Sequence, residues 1–144
     1  MDFGMLGAGL VFGLAAVGSG IGIGIAGMAN VGAWKKCFLA NKPAPMLLLA
    51  FTGNPLTQTF YGFILMGTLR AAAASPGVSG SVILGYGIAA GLSFLFSAIA
   101  QGKIAASACE ALVEKNAGFA QYMIVMGICE TVALFTMVLT MTSV

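Results

Sequence analysis

Glu130 stands inside the apolar run Tyr122-Met-Ile-Val-Met-Gly-Ile-Cys-Glu-Thr-Val-Ala-Leu-Phe-Thr-Met-Val-Leu139, with roughly ten apolar residues on either side. A carboxylate near the middle of a bilayer costs about 2.5 to 3.5 kcal/mol on insertion scales, so a residue of this kind marks a functional site by default. What neutralises it decides the chemistry. Thr57, Gln58 and Tyr61 in one apolar segment and Gln101 in another supply partners. A carboxylate, two amide oxygens, a hydroxyl and a phenol make the oxygen-rich shell that a dehydrated hard cation prefers. One negative charge in that shell suits a monovalent ion or a proton. Pro55 adds to the case. It has no N–H, so the carbonyl of Phe51 loses its helical partner and nearby backbone oxygens can turn to a ligand.

The elements that must position these groups follow from composition. The chain has 144 residues, 60% hydrophobic and 7% charged, with a mean hydropathy of +1.04; soluble domains carry roughly 25% charged residues. This predicts an all-α integral membrane protein. Four apolar segments, at about residues 3 to 33, 44 to 70, 81 to 109 and 117 to 142, each reach the length that spans a bilayer. No basic region or cleavage site precedes the first segment, which is therefore expected to be kept. Lys35, Lys36 and Lys42 lie in or beside the first connection, and Lys103 and Lys115 beside the third. The positive-inside rule then places loops 34–43 and 110–116 in the cytoplasm and both termini outside. Cys37, Cys109 and Cys129 have no metal spacing and read as small apolar fillers. A net charge of +2, scattered along the chain, gives no argument for nucleic acid.

The segments form two tandem hairpins, 1–72 and 81–144, joined by a linker at 73–80. Ser19-Gly-Ile-Gly-Ile-Gly-Ile-Ala26 aligns with Ser97-Ala-Ile-Ala-Gln-Gly-Lys-Ile104 at a shift of 78, and Pro55–Leu65 with Cys129–Leu139 at a shift of 74. With two spans per unit, both halves enter the membrane in one orientation, unlike inverted-repeat transporters. Only the second hairpin carries the carboxylate. Counted from the cytoplasmic ends, Gln58 and Glu130 lie about thirteen residues into their segments and Gln101 about eight to ten. At 1.5 Å per residue all three share a level near mid-membrane.

Each polar residue also has a structural reading. Gln58 and Gln101 can join helices for about 0.6 to 2 kcal/mol. Thr57 can bond back to its own helix, Tyr61 can pack, and Glu130 can be a protonated acid bonded to a neighbour. Lys103 reads as a snorkelling side chain. The glycines of the first segment, Gly9 and Gly13, Gly18 and Gly22, Gly20 and Gly24, are each four apart and clear more than one face. Such a helix suits the inner wall of a ring of identical subunits, or an ordinary small-residue helix pair. No strand precedes these glycines and no Lys-Ser/Thr follows them, which argues against a phosphate loop.

With these features together, the chain resembles the proteolipid subunits of bacterial V-type ATPases. The resemblance is carried by the duplicated hairpins, Gly18-Ser-Gly-Ile-Gly-Ile-Gly-Ile-Ala-Gly27, Pro55-Leu-Thr-Gln-Thr-Phe-Tyr-Gly62, Ser97-Ala-Ile-Ala-Gln-Gly-Lys103 and the lone Glu130. It implies a homo-oligomeric rotor ring in a bacterial cell membrane, driven through a central stalk by a soluble ATP-hydrolysing head. Each subunit would carry one cation past a stator subunit that offers a basic residue. It also implies a Na+ site at Thr57, Gln58, Gln101, Glu130 and the backbone carbonyl of Asn54, with Tyr61 bonded to Glu130 and H+ as the alternative cargo. Leu56 and Thr59 stand where sodium-type relatives often have Gly, and Asn54 replaces an apolar residue. Helix geometry frees Phe51 rather than residue 54, so use of the Asn54 carbonyl requires a further local distortion. No nucleotide motif is present, and no catalysis by the chain alone is expected.

Two rival readings make different demands. A small four-helix proton-coupled secondary transporter needs an aromatic pocket around Glu130, for which the sequence offers Tyr61 and Phe135. A purely structural four-helix membrane protein would leave Glu130 and the glutamines incidental.

Overall fold

The computed structural model describes residues 2–144 and, among them, contains helices and turns only. Helix α1 (Phe3–Leu39) is followed by the short α2 (Leu48–Gly53), a single 3-10 turn (Asn54–Leu56), α3 (Thr57–Ala73), α4 (Gly80–Lys115) and α5 (Phe119–Ser143). Three of these, α1, α4 and α5, are long and apolar enough to cross a membrane. The segment read as one span over 44–70 is instead a column of three pieces, because Pro55 removes a helical donor and the backbone tightens over Asn54–Leu56.

Two of the expected loops are mostly helix. Loop 34–43 gives way to α1, which runs on to Leu39, and loop 110–116 to α4, which runs on to Lys115. At 1.5 Å per residue, the 37 residues of α1 extend about 55 Å, well beyond a hydrocarbon core of about 30 Å. Polar helix formers can therefore continue the helix where apolar ones stop. Lys36 of α1 and Glu114 of α4 approach to 3.9 Å on these projecting ends. What remains of the third connection is an elbow, with Asn116 at φ 51° and Gly118 at φ 92°. The first connection is longer and begins with a Schellman-type stop: Lys42 N–H reaches Cys37 O at 2.9 Å and Asn41 N–H reaches Phe38 O at 3.1 Å. The indole of Trp34 then donates to Pro45 O at 2.9 Å.

The core lies between α1 and α4, which meet backbone to backbone. Gly7 lies against Gly87, Gly18 against Leu95, and Gly22 against Ala98 and Gly102, positions that a Cβ on any of these glycines would invade. These pairs bracket the shift of 78 that relates the two segments in sequence. Gly9, Gly13, Gly20 and Gly24 face the other way, with nothing near the place of a Cβ. Thus α1 is bare on two faces. Two apolar clusters complete the interior. One, around Val11, Leu65, Ile83 and Phe94, lies beyond the glutamines; the other, around Leu48, Phe51, Leu112 and Met126, lies toward the Lys-bearing ends. Cys37 and Cys109 are buried.

Candidate ion-binding site

The polar residues singled out in the sequence converge between α3, α4 and α5. Gln58 at the start of α3 and Gln101 of α4 have no exposed surface at all, an unusual condition for glutamine. Burial on this scale requires partners, and both amide nitrogens are fully engaged. Gln58 Nε2 donates to Gln101 Oε1 at 3.0 Å and to Ser97 Oγ at 3.3 Å. Gln101 Nε2 donates to Met126 O and to Glu130 Oε2, both at 3.2 Å. The other carboxylate oxygen, Oε1, accepts the phenolic hydrogen of Tyr61 at 2.5 Å. Glu130 is half-buried and so reaches the outer surface of the bundle. Phe135 is exposed, which leaves Tyr61 as the aromatic neighbour of the carboxylate.

The chain of contacts continues to the break before α3. Thr57 Oγ1 lies 3.1 Å from Asn54 O and 3.2 Å from Gln58 Oε1. A threonine hydroxyl has one hydrogen and cannot serve both acceptors. Three oxygens therefore crowd one corner with a single side-chain hydrogen among them. Two oxygens at right angles around a hard cation, each at about 2.3 to 2.6 Å, are about 3.3 to 3.7 Å apart. The observed separations, 3.1 and 3.2 Å, are shorter than that spacing and are those of hydrogen bonds; what the corner offers a hard cation is its oxygen-rich donor set. The 3-10 turn supplies the distortion that use of Asn54 O requires: that carbonyl already accepts the Thr57 N–H across a tightened turn.

Two contributors were missed in the sequence. Ser97, read only as part of the repeat, accepts from Gln58 and donates to Cys129 O at 3.2 Å, tying α4 to the backbone beside Glu130. Its signal was its spacing, four residues before Gln101 on the same helix face. Met126 contributes only a main-chain oxygen, which no side-chain pattern reveals. Cys129 is more than an apolar filler, since it donates its thiol to Ser97 O at 3.7 Å. Lys103, two residues beyond Gln101, is exposed and takes no part.

The decisive stretch is the one carrying Gln101 and Glu130: residues 84–142 match the ATP synthase C-subunit family. This part of the chain is similar to that family. The likeness extends beyond this stretch. The chain is 35% identical over 133 residues to "A-type ATP synthase subunit K" of Methanocaldococcus jannaschii, an alignment covering 92% of this chain and 57% of that protein. The expected resemblance to a V-type ATPase proteolipid is thereby supported across most of the chain, in the broader form of a V/A-type proteolipid. The chain spans little more than half the length of this relative.

Proposed function

We propose that the chain is a rotor-ring subunit of a V/A-type ATPase and carries one Na+ per copy at Glu130, with H+ as the alternative cargo. The observation that carries this reading is the unbroken polar chain from Tyr61 through Glu130, Gln101, Gln58 and Thr57 to the Asn54 carbonyl. The ligands would be Glu130, Gln101, Gln58, Thr57 and the Asn54 carbonyl, with Tyr61 holding the carboxylate. In the assembled protein α2, the 3-10 turn and α3 together make a fourth crossing. The Lys-rich ends face the cytoplasm of a bacterial cell, and both termini lie outside.

Identical copies close into a ring, for which the second, open glycine face of α1 gives room at close approach. A bare carboxylate facing lipid is too costly, so Glu130 stays loaded while it does so. Beside a stator subunit, a basic side chain and a water-filled path lower that cost, and release becomes possible only there. Rotation by a central stalk and a soluble ATPase head then carries the site from one side to the other. The chain itself catalyses nothing alone; the hydrolysis occurs in those partners.

The test is carbodiimide labelling of the purified oligomer at several pH values, with and without sodium. Labelling of Glu130 that millimolar sodium but not potassium prevents supports sodium carriage. Labelling indifferent to sodium makes the cargo a proton, and absence of labelling at any pH removes Glu130 from the centre of the reading.

A further inference from the structure

Helix α2 has only six residues, and neither Leu47 before it nor Leu56 before α3 caps its helix with a side chain. A helix this short has no stability of its own and takes its place from packing. Phe51 stacks on Phe119 at 5.2 Å, which fixes α2 against α5. Against α1 it is held by Asn30 and Thr52. Asn30 is 2% exposed, and its Nδ2 donates to Thr52 Oγ1 at 2.9 Å. Thr52 spends its one hydrogen on Leu48 O at 3.3 Å, so the direction of the pair is fixed. Among the described residues this is the only hydrogen bond joining side chains of α1 and α2. The Asn30 Oδ1 has no partner there, so the amide is oriented through Thr52 alone. The methyl of Thr52 lies over Gly27, 3.7 Å from the place of its Cβ. Thr52 is two residues before Asn54, whose carbonyl faces Thr57 Oγ1.

We propose that Asn30 is a positioning residue for cation binding: through Thr52 it holds α2 so that the break places the Asn54 carbonyl at the Thr57–Gln58 corner. This rests on the ion-carrying reading above. Asn30 touches no proposed ligand side chain, and the main-chain oxygen matters to a cation but not to protonation of Glu130. Loss of the pair should therefore weaken sodium binding and leave proton binding alone.

The experiment measures the sodium concentration that half-protects Glu130 from carbodiimide in the assembled oligomer, together with the pH profile of labelling without sodium. Asn30→Leu and the isosteric Thr52→Val should each raise the sodium midpoint about tenfold, the effect of one net hydrogen bond. Thr52→Ser should restore it, and the pH profile should not move. An assembled Thr52→Val oligomer with an unchanged sodium midpoint overturns the proposal, as does an equal shift in both readouts, which would mean general loosening. Wild-type protein that sodium fails to protect removes the sodium reading and this proposal together; protection that is equal in wild type and variants removes the proposal alone.

Discussion

Gln58 and Gln101 lie amide against amide, the nitrogen of the first donating to the oxygen of the second at 3.0 Å. This single contact sets the sense of the whole site. With its oxygen turned to Gln58, Gln101 must present its nitrogen to Glu130 and Met126. Gln58 in turn must present its own oxygen to Thr57. The amide hydrogens are spent on the Glu130 side, and the surplus of oxygen accumulates at the Asn54 corner.

Tyr61 closes the carboxylate from the α3 side. In Tyr61→Phe the ring keeps its place near Phe94, 6.4 Å away, but Oε1 of Glu130 loses its donor. A hydrogen bond to a charged group contributes about 1.5 to 3 kcal/mol. Glu130 should then react with carbodiimide roughly tenfold faster in the absence of cation, even at the low end of that range. A rate equal to wild type would mean that the phenol does not hold the carboxylate.

Ser97→Ala removes one acceptor from Gln58 and the side-chain donor to Cys129 O. The buried amide hydrogen left behind should cost about 1 kcal/mol and lower the melting temperature of the detergent-solubilised oligomer. Cation affinity should fall several-fold in the same variant. Unchanged melting would show that Ser97 is a spacer.

The glycines of α1 divide into two experimental classes. A Cβ at Gly22 would meet Pro55 Cβ at 2.9 Å as well as the Ala98 carbonyl, whereas one at Gly20 would meet nothing within 4 Å. Overpacking typically costs about 1 to 3 kcal/mol and more against fixed backbone. Gly22→Val should therefore destroy the fold, measured as loss of helical circular dichroism in detergent. Gly20→Val should leave the fold intact and disrupt assembly, measured by native mass spectrometry. A fully assembled Gly20→Val oligomer would place the intersubunit face elsewhere.

The helices and the polar level were legible because a membrane chain offers few polar residues to choose among. Glu130, Gln101, Gln58 and Thr57 stand out against an apolar background, and Pro55 located the break. The faces were not legible. Lipid is as apolar as a protein core, so hydropathy does not tell the buried Gly22 from the open Gly20. Helix ends are illegible for a related reason: apolar runs stop, but α1 and α4 continue through the exposed Lys36 and Glu114. Asn30 carries no signal in the sequence, because a single asparagine in a glycine-rich segment has no periodic partner. Its relevance appears only when Thr52 is brought against it in space.

The elbow from Lys115 to Phe119 is far shorter than the proline-bearing connection between Leu39 and Leu48. Left-handed backbone at Asn116 and Gly118 folds it back with few free torsions. The second hairpin thus turns on three residues outside helix, the first on eight. The carboxylate and the Thr57 and Asn54 oxygens are thus carried by hairpins whose turns differ in length by five residues.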